Sequence, residues 1–419
     1  MMKGIYAILG IGSSTIKLLV GEATNANINV LFAKKIPSHG VKKGIVEDEH
    51  ILSNDIRILL DAAEKSLEAK ITSVALNIPT NRAKLYQSDS SISLGEKGTK
   101  IVNDDIVRVL KLSSRFERSP QEEIVSVIPV KYHSDKGATI APPLDQVSRN
   151  LIVDSLVITT NKKVLYPYIM AVEKAGVQVL DISVNAFSCA KEALDDVYLQ
   201  EGVVLIDMGY KTSTISFYKD RYLKYLTVCP VGGYDFTRKV AQEFQISMNQ
   251  AETYKIKYGS LDGSLGQDDI IHTTYLQENK KDFTQQDLAN ILKETAYEVM
   301  SAIKEKMAVI DDGNNYETLI IGGGGELGML DQVASSALQA PVRMYRPDTI
   351  GVRDMSFVST LGMLYYLMER AKILGDYEPS VTLPDVTSTM SIRFKGLTKA
   401  SNKSGNKINK LMDTFFSED

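Results

Sequence analysis

Two segments far apart in the chain share one design. Ile5-Tyr6-Ala7-Ile8-Leu9 is an apolar run that ends in Gly10-Ile11-Gly12-Ser13-Ser14, and Ile16-Lys17-Leu18-Leu19-Val20 follows. Val203-Val204-Leu205-Ile206 runs into Asp207-Met208-Gly209-Tyr210-Lys211-Thr212, and Thr214-Ile215-Ser216-Phe217-Tyr218 follows. Each reads as a buried strand, a tight polar turn and a second strand. The same hairpin twice argues for a duplicated fold with one copy in each half. A third segment adds to them: the strand Thr318–Ile321 enters Gly322-Gly323-Gly324-Gly325, and a helix is expected over 326–338.

These turns carry the candidate chemistry. An anion needs several backbone N–H groups aimed at one point, with side chains too small to block them. Gly12-Ser13-Ser14 and Gly209 to Thr212 meet that need. Lys17 adds a positive charge, or faces solvent, since it follows the turn. Asp207 ends a strand and suits a carboxylate that orders magnesium-bound water. Strand, glycine run and helix suit close approach of an adenosine and its α-phosphate to Gly322, Gly323 and Gly324. One Gly-Ser turn alone is usually only a turn. Three in this order point to nucleotide binding.

Size and charge narrow the class. A chain of 419 residues holds two or three units at roughly 150 residues each. Hydrophobic content of 44% and charged content of 24% are those of a soluble globular protein. A net charge of -4 argues against general affinity for nucleic acid. The two cysteines, Cys189 and Cys229, are too few for a disulfide framework. The apolar N-terminus is cut by Gly10, Gly12, Ser13 and Ser14, unlike a signal peptide. No apolar run reaches the ~20 residues of a membrane span. A cytoplasmic location is expected. The histidines His39, His50, His133 and His272 show no metal-ligand spacing, and no nucleophile–base arrangement stands out.

Between the hairpins, strands and helices alternate. Helices are expected over 54–67, 104–112 and 164–175, and extended segments over 73–78, 124–132, 151–159 and 177–182. The stretch 81–161, punctuated by Pro142 and Pro143, reads as an inserted α+β unit. Thr284, with Asp287 three residues on, marks the capped start of a long helix. From Asp376 to Asn406 the apolar periodicity fades into a linker. Beyond it, Ile408, Leu411, Met412, Phe415 and Phe416 form one helical stripe beside Lys407 and Lys410. A short apolar face after a basic linker suits an interfacial membrane anchor.

Several motifs together resemble the FtsA family of bacterial cell-division proteins, within the actin superfamily. Ser38-His39-Gly40 through Gly44 to Asp48 is similar to that family's Ser-x-Gly-x-x-x-Gly-x-x-x-Asp segment. Val127-Ile128-Pro129-Val130-Lys131-Tyr132 resembles its VIPxxY strand, and Ala171-Val172-Glu173-Lys174-Ala175-Gly176 its AVExxG helix end. Ala251-Glu252-Thr253-Tyr254-Lys255 with Gly259 resembles its AExxK…G segment, where Glu252 and Lys255 would approach the nucleotide sugar. Ile320 to Gly325 resembles LTGGGA.

The resemblance implies an α/β class fold: a duplicated actin/Hsp70-like ATPase fold, two mixed-sheet halves around a nucleotide cleft, with an inserted α+β subdomain. It implies a first half at 1–80 and 162–200, the insertion at 81–161, and a second half at 201–232 and 313–375. It also implies an FtsZ-docking subdomain at 233–312, the linker at 376–406 and a membrane helix at 407–419. The nucleotide ligands would be Gly12, Ser13, Ser14, Lys17, Asp207, Gly209, Lys211, Thr212, Glu252, Lys255, Gly322, Gly323 and Gly324, with ATP and Mg2+ (through Asp207) as cofactors. The expected partners are the FtsZ C-terminal tail, further copies of the chain in a filament, the cytoplasmic membrane surface and other divisome proteins, at the septum.

Two departures qualify this. Gly10 stands where the family's first loop carries an acidic residue, which implies ATP binding with feeble hydrolysis. Pro142-Pro143-Leu144 stands where Pro-x-Gly-Leu is usual. Two alternatives remain: a PilM-type pilus-assembly scaffold, which would lack the stripe from Ile408 to Phe416, and a sugar or metabolite kinase, which would need a base not seen here.

Overall fold

In the computed structural model, residues 4–381 are described, apart from 25–27, 265, 267–268, 277–278, 311–312 and 375–377. The linker beyond 381 and the stripe Ile408, Leu411, Met412, Phe415 and Phe416 lie outside the described residues. The chain divides into unit 1 (1–192, 349–352 and 359–419) and unit 2 (193–348 and 353–358).

Unit 1 begins with β1 (Gly4–Ile11), β2 (Thr15–Ala23) and β3 (Ile28–Pro37), a meander whose neighbours run antiparallel. A small hairpin follows, β4 (Val41–Lys42) and β5 (Ile45–Val46), then α1 (Glu49–Leu67) and β6 (Ser73–Ile78). The helix starts five residues before the apolar periodicity does. Asp48 caps it, its side chain accepting from the backbone N–H of His50 and Ile51 at 2.9 and 3.0 Å.

The insertion comes next: β7 (Lys84–Ser93), β8 (Thr99–Lys100), α2 (Asn103–Ser113), β9 (Glu122–Ser134), β10 (Gly137–Thr139), β11 (Val147–Ser148) and β12 (Asn150–Asn161). Then α3 (Lys162–Lys174), β13 (Gln178–Val184) and α4 (Asn185–Ala193) complete this stretch. The main sheet runs β13-β6-β1-β2-β3, with β13, β6 and β1 parallel. The inserted sheet runs β10-β9-β12-β7. Ile106, Val109 and Leu110 of α2 share its core with Ile92, Leu94, Ile101, Tyr132, Leu151 and Val153.

Unit 2 has α5 (Asp196–Glu201), the meander β14 (Val203–Met208), β15 (Ser213–Lys219) and β16 (Tyr222–Cys229), then α6 (Gly233–Phe244) and α7 (Met248–Tyr258). A hairpin β17 (Ile270–Leu276) and β18 (Asn279–Thr284), α8 (Gln285–Met307), β19 (Glu317–Ile321), α9 (Leu330–Leu338) and β20 (Val342–Met344) follow. Thr284 caps α8 reciprocally with Asp287, as its sequence predicts. The sheet runs β16-β15-β14-β19-β20, and β14, β19 and β20 are parallel. Unit 1 has the same order: a three-strand antiparallel meander, then two parallel strands. The duplicated hairpin thus belongs to a duplicated mixed sheet.

Two sequence expectations shift. The helix expected over 326–338 begins only at Leu330, because Met329 holds a left-handed φ of 66°. The glycines 323–325 form a single 3-10 turn instead. The last helix, α10 (Val358–Leu374), was expected with the second half but falls almost wholly in unit 1. Its Leu361, Met363, Leu364 and Leu367 are fully buried. It lies on glycines: a Cβ on Gly21 would meet Leu364 Cδ2 at 2.6 Å, and one on Gly362 would meet Ser188 O at 1.7 Å. Arg370 then pairs with buried Asp181 of β13 at 3.0 Å. Among the described residues no helix is long and apolar enough to cross a membrane.

One buried carboxylate makes unit 1 acid-sensitive. Glu64 of α1 is burdened by burial, which raises its pKa, but hydrogen bonds from Lys70 and the Ile71 N–H, with the charge of Arg57, outweigh this and hold it below the ordinary value. A carboxylate with a lowered folded pKa contributes stability above its unfolded pKa and loses it as pH falls through the folded value. Chemical denaturation from pH 6 down to about 3 should show a stability loss in the wild type that Glu64→Gln lacks. Parallel acid limbs for the two proteins would contradict this assignment.

Candidate functional site

The two polar turns are described unit by unit. In unit 1 the turn between β1 and β2 closes with the Gly12 N–H donating to Thr15 O at 3.0 Å. A Cβ on Gly12 would lie 3.2 Å from Thr15 O and 4.0 Å from Lys17 Nζ. The Lys17 ammonium therefore sits by the turn, and its residue is half-buried. Ser13 Oγ accepts from the Gly44 N–H at 2.8 Å, and Ser14 O accepts from the Ser38 N–H at 2.8 Å. Gly10 pairs across the ladder with Lys17, and its missing side chain has a steric cause. A Cβ there would come within 2.7 Å of the Thr360 methyl, which is fully buried at the start of α10.

In unit 2 the turn between β14 and β15 closes the same way, the Gly209 N–H donating to Thr212 O at 3.0 Å. Two further glycine segments pack on it. The N–H groups of Gly233 and Tyr234, at the start of α6, donate to the carbonyls of Gly209 and Tyr210 at 3.0 and 2.6 Å. A Cβ on Gly232 would lie 2.5 Å from Gly209 O, and one on Gly324 only 2.1 Å from the same oxygen. Gly322, at φ 88°, lies against Asp207: a Cβ there would meet Oδ1 at 2.4 Å. Gly323 is exposed. Backbone thus touches backbone at Gly232, Gly324 and Gly322, the last also 2.6 Å from Met208 O on the same measure, which only glycine permits.

A buried ammonium secures this array. Lys255 of α7 is 7% exposed. It donates to Gly233 O at 3.1 Å and Thr237 Oγ1 at 2.9 Å, and it pairs with Glu252 Oε2 at 2.8 Å. Glu252 also accepts from Thr237 Oγ1. Burial pulls the Lys255 pKa down, and Glu252 works against that pull. The Tyr210 ring lies 5.7 Å from Lys255 Nζ and packs edge-on against Tyr234 at 5.6 Å. Lys211 Nζ stands 5.7 Å from the Tyr234 ring centre. Burial, with Glu252 nearby, raises the Tyr210 phenol.

Of the expected residues of unit 2, Asp207, Gly209, Lys211, Thr212, Gly322 and Gly324 lie on or beside the β14–β15 turn, Lys255 and Glu252 reach the start of α6 from α7, and Gly323 stands exposed next to Gly324. Those of unit 1, Gly12, Ser13, Ser14 and Lys17, share the other turn. Sequence reasoning missed Gly232, Gly233, Tyr210, Tyr234 and Thr237. The signal for the first two was present: a Gly-Gly pair just after a strand and just before a helical pattern. Both turns suit a phosphate chain: the first bend is made of small residues, Gly12, Ser13 and Ser14, and the second opens on Gly209 and carries the Lys211 ammonium. For a divalent ion the fit is narrower. Among the described residues no three of His, Cys, Asp and Glu cluster as a cage, so Asp207 could serve only an ion held mainly by phosphate and water.

A family model described as "Cell division protein FtsA" matches residues 204–362, and one described as "SHS2 domain inserted in FTSA" matches 80–159. The cell division protein FtsA of Bacillus subtilis (strain 168) is 27% identical over 376 residues, covering 88% of this chain and 85% of its own length. That of Staphylococcus epidermidis (strain RP62A) is 26% identical over 428 residues, covering 97% of this chain and 90% of its own.

Among solved structures, the PilM-PilN type IV pilus biogenesis complex superposes with a TM-score of 0.58 at 15% identity, covering 87% of this chain and 98% of that one. MreB5 of Spiroplasma citri bound to ADP gives 0.51 at 11% identity, covering 89% and 99%. These structures share the actin-like ATPase fold. With the mixed sheet present twice, both FtsA models matched and the relatives aligned over most of their length, the chain belongs to the FtsA family of cell-division proteins.

Proposed function

We propose that this chain binds ATP, assembles into actin-like filaments and tethers FtsZ filaments to the inner face of the cytoplasmic membrane at the division septum. The glycine array around Gly209, Gly232, Gly233 and Gly324 carries the nucleotide reading. Its close backbone packing is costly to build, folds the Tyr210 ring against Tyr234 and Lys255, and leaves Gly323 exposed. Support comes from the fold shared with MreB5, a structure determined with ADP.

In unit 2 the ligands are Asp207, Gly209, Lys211, Thr212, Glu252, Lys255, Gly322, Gly323 and Gly324. In unit 1 they are Gly12, Ser13, Ser14 and Lys17. Mg2+, near Asp207, would neutralise phosphate charge. Lys17 and Lys211 supply cations, and the turn amides supply donors. Hydrolysis is feeble, because position 10 offers no carboxylate and the Thr360 methyl fills the adjoining space.

Segment 233–312 receives the FtsZ tail, and 81–161 contacts later division proteins. The stripe Ile408, Leu411, Met412, Phe415 and Phe416 lies in the membrane interface, with Lys407 and Lys410 towards anionic headgroups. One short helix binds weakly, and a filament multiplies its grip.

Purified protein with ATP on lipid monolayers should form filaments visible by electron microscopy. Deletion of 407–419 should abolish co-sedimentation with anionic liposomes, a loss of at least about 10-fold, while nucleotide binding persists. Unchanged co-sedimentation would remove the tether. Nucleotide binding without filaments or FtsZ recruitment would favour a pilus-type scaffold.

A further inference from the structure

The short hairpin β4–β5 contributes nothing to the main sheets, yet it touches the unit 1 turn. Its two-residue tip, Lys43-Gly44, has φ of 49° and 71°, both left-handed, as a type I′ turn requires. The Gly44 N–H donates to Ser13 Oγ at 2.8 Å. A hydroxyl that accepts in this way keeps its own hydrogen to donate elsewhere. The tip therefore presets Ser13 as a donor for an anion at the turn. The Glu47 N–H closes the base of the hairpin by donating to Gly40 O at 2.9 Å, and the His39 N–H ties the chain entering it to α1 by donating to Asp55 Oδ2 at 2.9 Å.

The other side of the tip meets the entrance to the inserted sheet. Asn81 Nδ2 donates to Lys43 O, and a Cβ on Gly44 would lie 2.8 Å from the Asn81 amide. Asn81 sits in the connection between β6 and β7. Its own carbonyl accepts from Thr160 Oγ1 of β12 at 3.3 Å, which ties the strand entering the insertion to the strand leaving it. Two residues of a hairpin thus join the Ser13 hydroxyl to both ends of the inserted sheet.

We propose that the Lys43–Gly44 tip is a positioning element that couples anion binding at Ser13 to the inserted sheet through Asn81. The proposal rests on the nucleotide reading above. An anion that draws the Ser13 hydroxyl reorients the acceptor of the Gly44 N–H. The tip then holds Asn81 in one arrangement, and β7 and β12 are steadied where they leave the main sheet. Coupling of this kind is reciprocal, so an occupied inserted sheet tightens binding at the turn.

Hydrogen exchange of the full chain, with and without ATP and magnesium, tests this. In the wild type, ATP should slow exchange at 84–93 and 150–161 by at least about 5-fold, the lower bound of ordinary coupling. In Asn81→Ala that difference should vanish while the affinity for ATP changes by less than about 3-fold. Asn81→Ser, which keeps a short donor, should recover part of the difference and serves if the alanine variant folds poorly. A role confined to stability would change exchange equally with and without ATP. Persistence of the ATP effect in Asn81→Ala, or its absence in a wild type that binds ATP, overturns the coupling. A wild type that binds no ATP overturns the nucleotide reading and the coupling with it.

Discussion

Gly324→Ala should destabilise unit 2 by about 3 kcal/mol or more and weaken nucleotide binding by at least about 10-fold. A Cβ at 324 would lie 2.1 Å from Gly209 O and 2.7 Å from Met208 O. Both neighbours are backbone in the turn between β14 and β15, so no side chain can swing aside. The turn must move, and with it the Gly209 carbonyl that accepts from the Gly233 N–H. The start of α6 loses its seat, and Lys255 loses its geometry to Gly233 O. One methyl group therefore disturbs three segments at once. Thermal unfolding and nucleotide titration measure the two effects. A variant with wild-type melting and affinity would show that the array is looser than these distances allow.

Lys255→Met should cost about 2–3 kcal/mol. It leaves the Gly233 carbonyl without the ammonium and Glu252 without its partner, while the single hydrogen of the Thr237 hydroxyl can serve only one of these acceptors at a time. The Glu252 side chain is 31% exposed, so water relieves part of the charge, which keeps the cost below that of a fully buried orphan. Adding Glu252→Gln should return roughly half of the loss, since the stranded charge is then gone.

Titration gives a second readout. The folded pKa of Lys255 lies below its ordinary value because of burial. Unfolding then takes up a proton at pH values between the two, and the contribution of this residue rises with pH across that window. The stability gap between wild type and Lys255→Met should widen there. A constant gap would place the ammonium in a more solvated setting.

The two hairpins were legible because their signals are local. An apolar run, a Gly-Ser or Asp-x-Gly bend and a second apolar run specify a strand, a turn and a strand from neighbours alone. The capping of α8 by Thr284 and Asp287 was legible for the same reason. Residues acting across distance were not. Gly232 and Gly233 matter because the Gly209 carbonyl, two strands earlier, lies against them, and their own neighbourhood reads as an ordinary helix start. Thr237 matters only because Lys255 and Glu252 reach it from the next helix.

The sequence by itself determined the duplication, the place of each polar turn and the residue types that an anion requires. It also marked Gly10 as a departure, without a cause. Tertiary structure supplied that cause, because Thr360, some 350 residues along the chain, fills the space in which a side chain at position 10 would stand. It likewise gave α10 to unit 1, since a helix buried on several faces has no periodicity to say which sheet it covers. Three close approaches to glycine, at Gly10, Gly21 and Gly362, decided that. Turns follow from short-range chain geometry, which a sequence states directly. Which backbone lies against which glycine is a long-range steric fact, fixed only when the chain has folded.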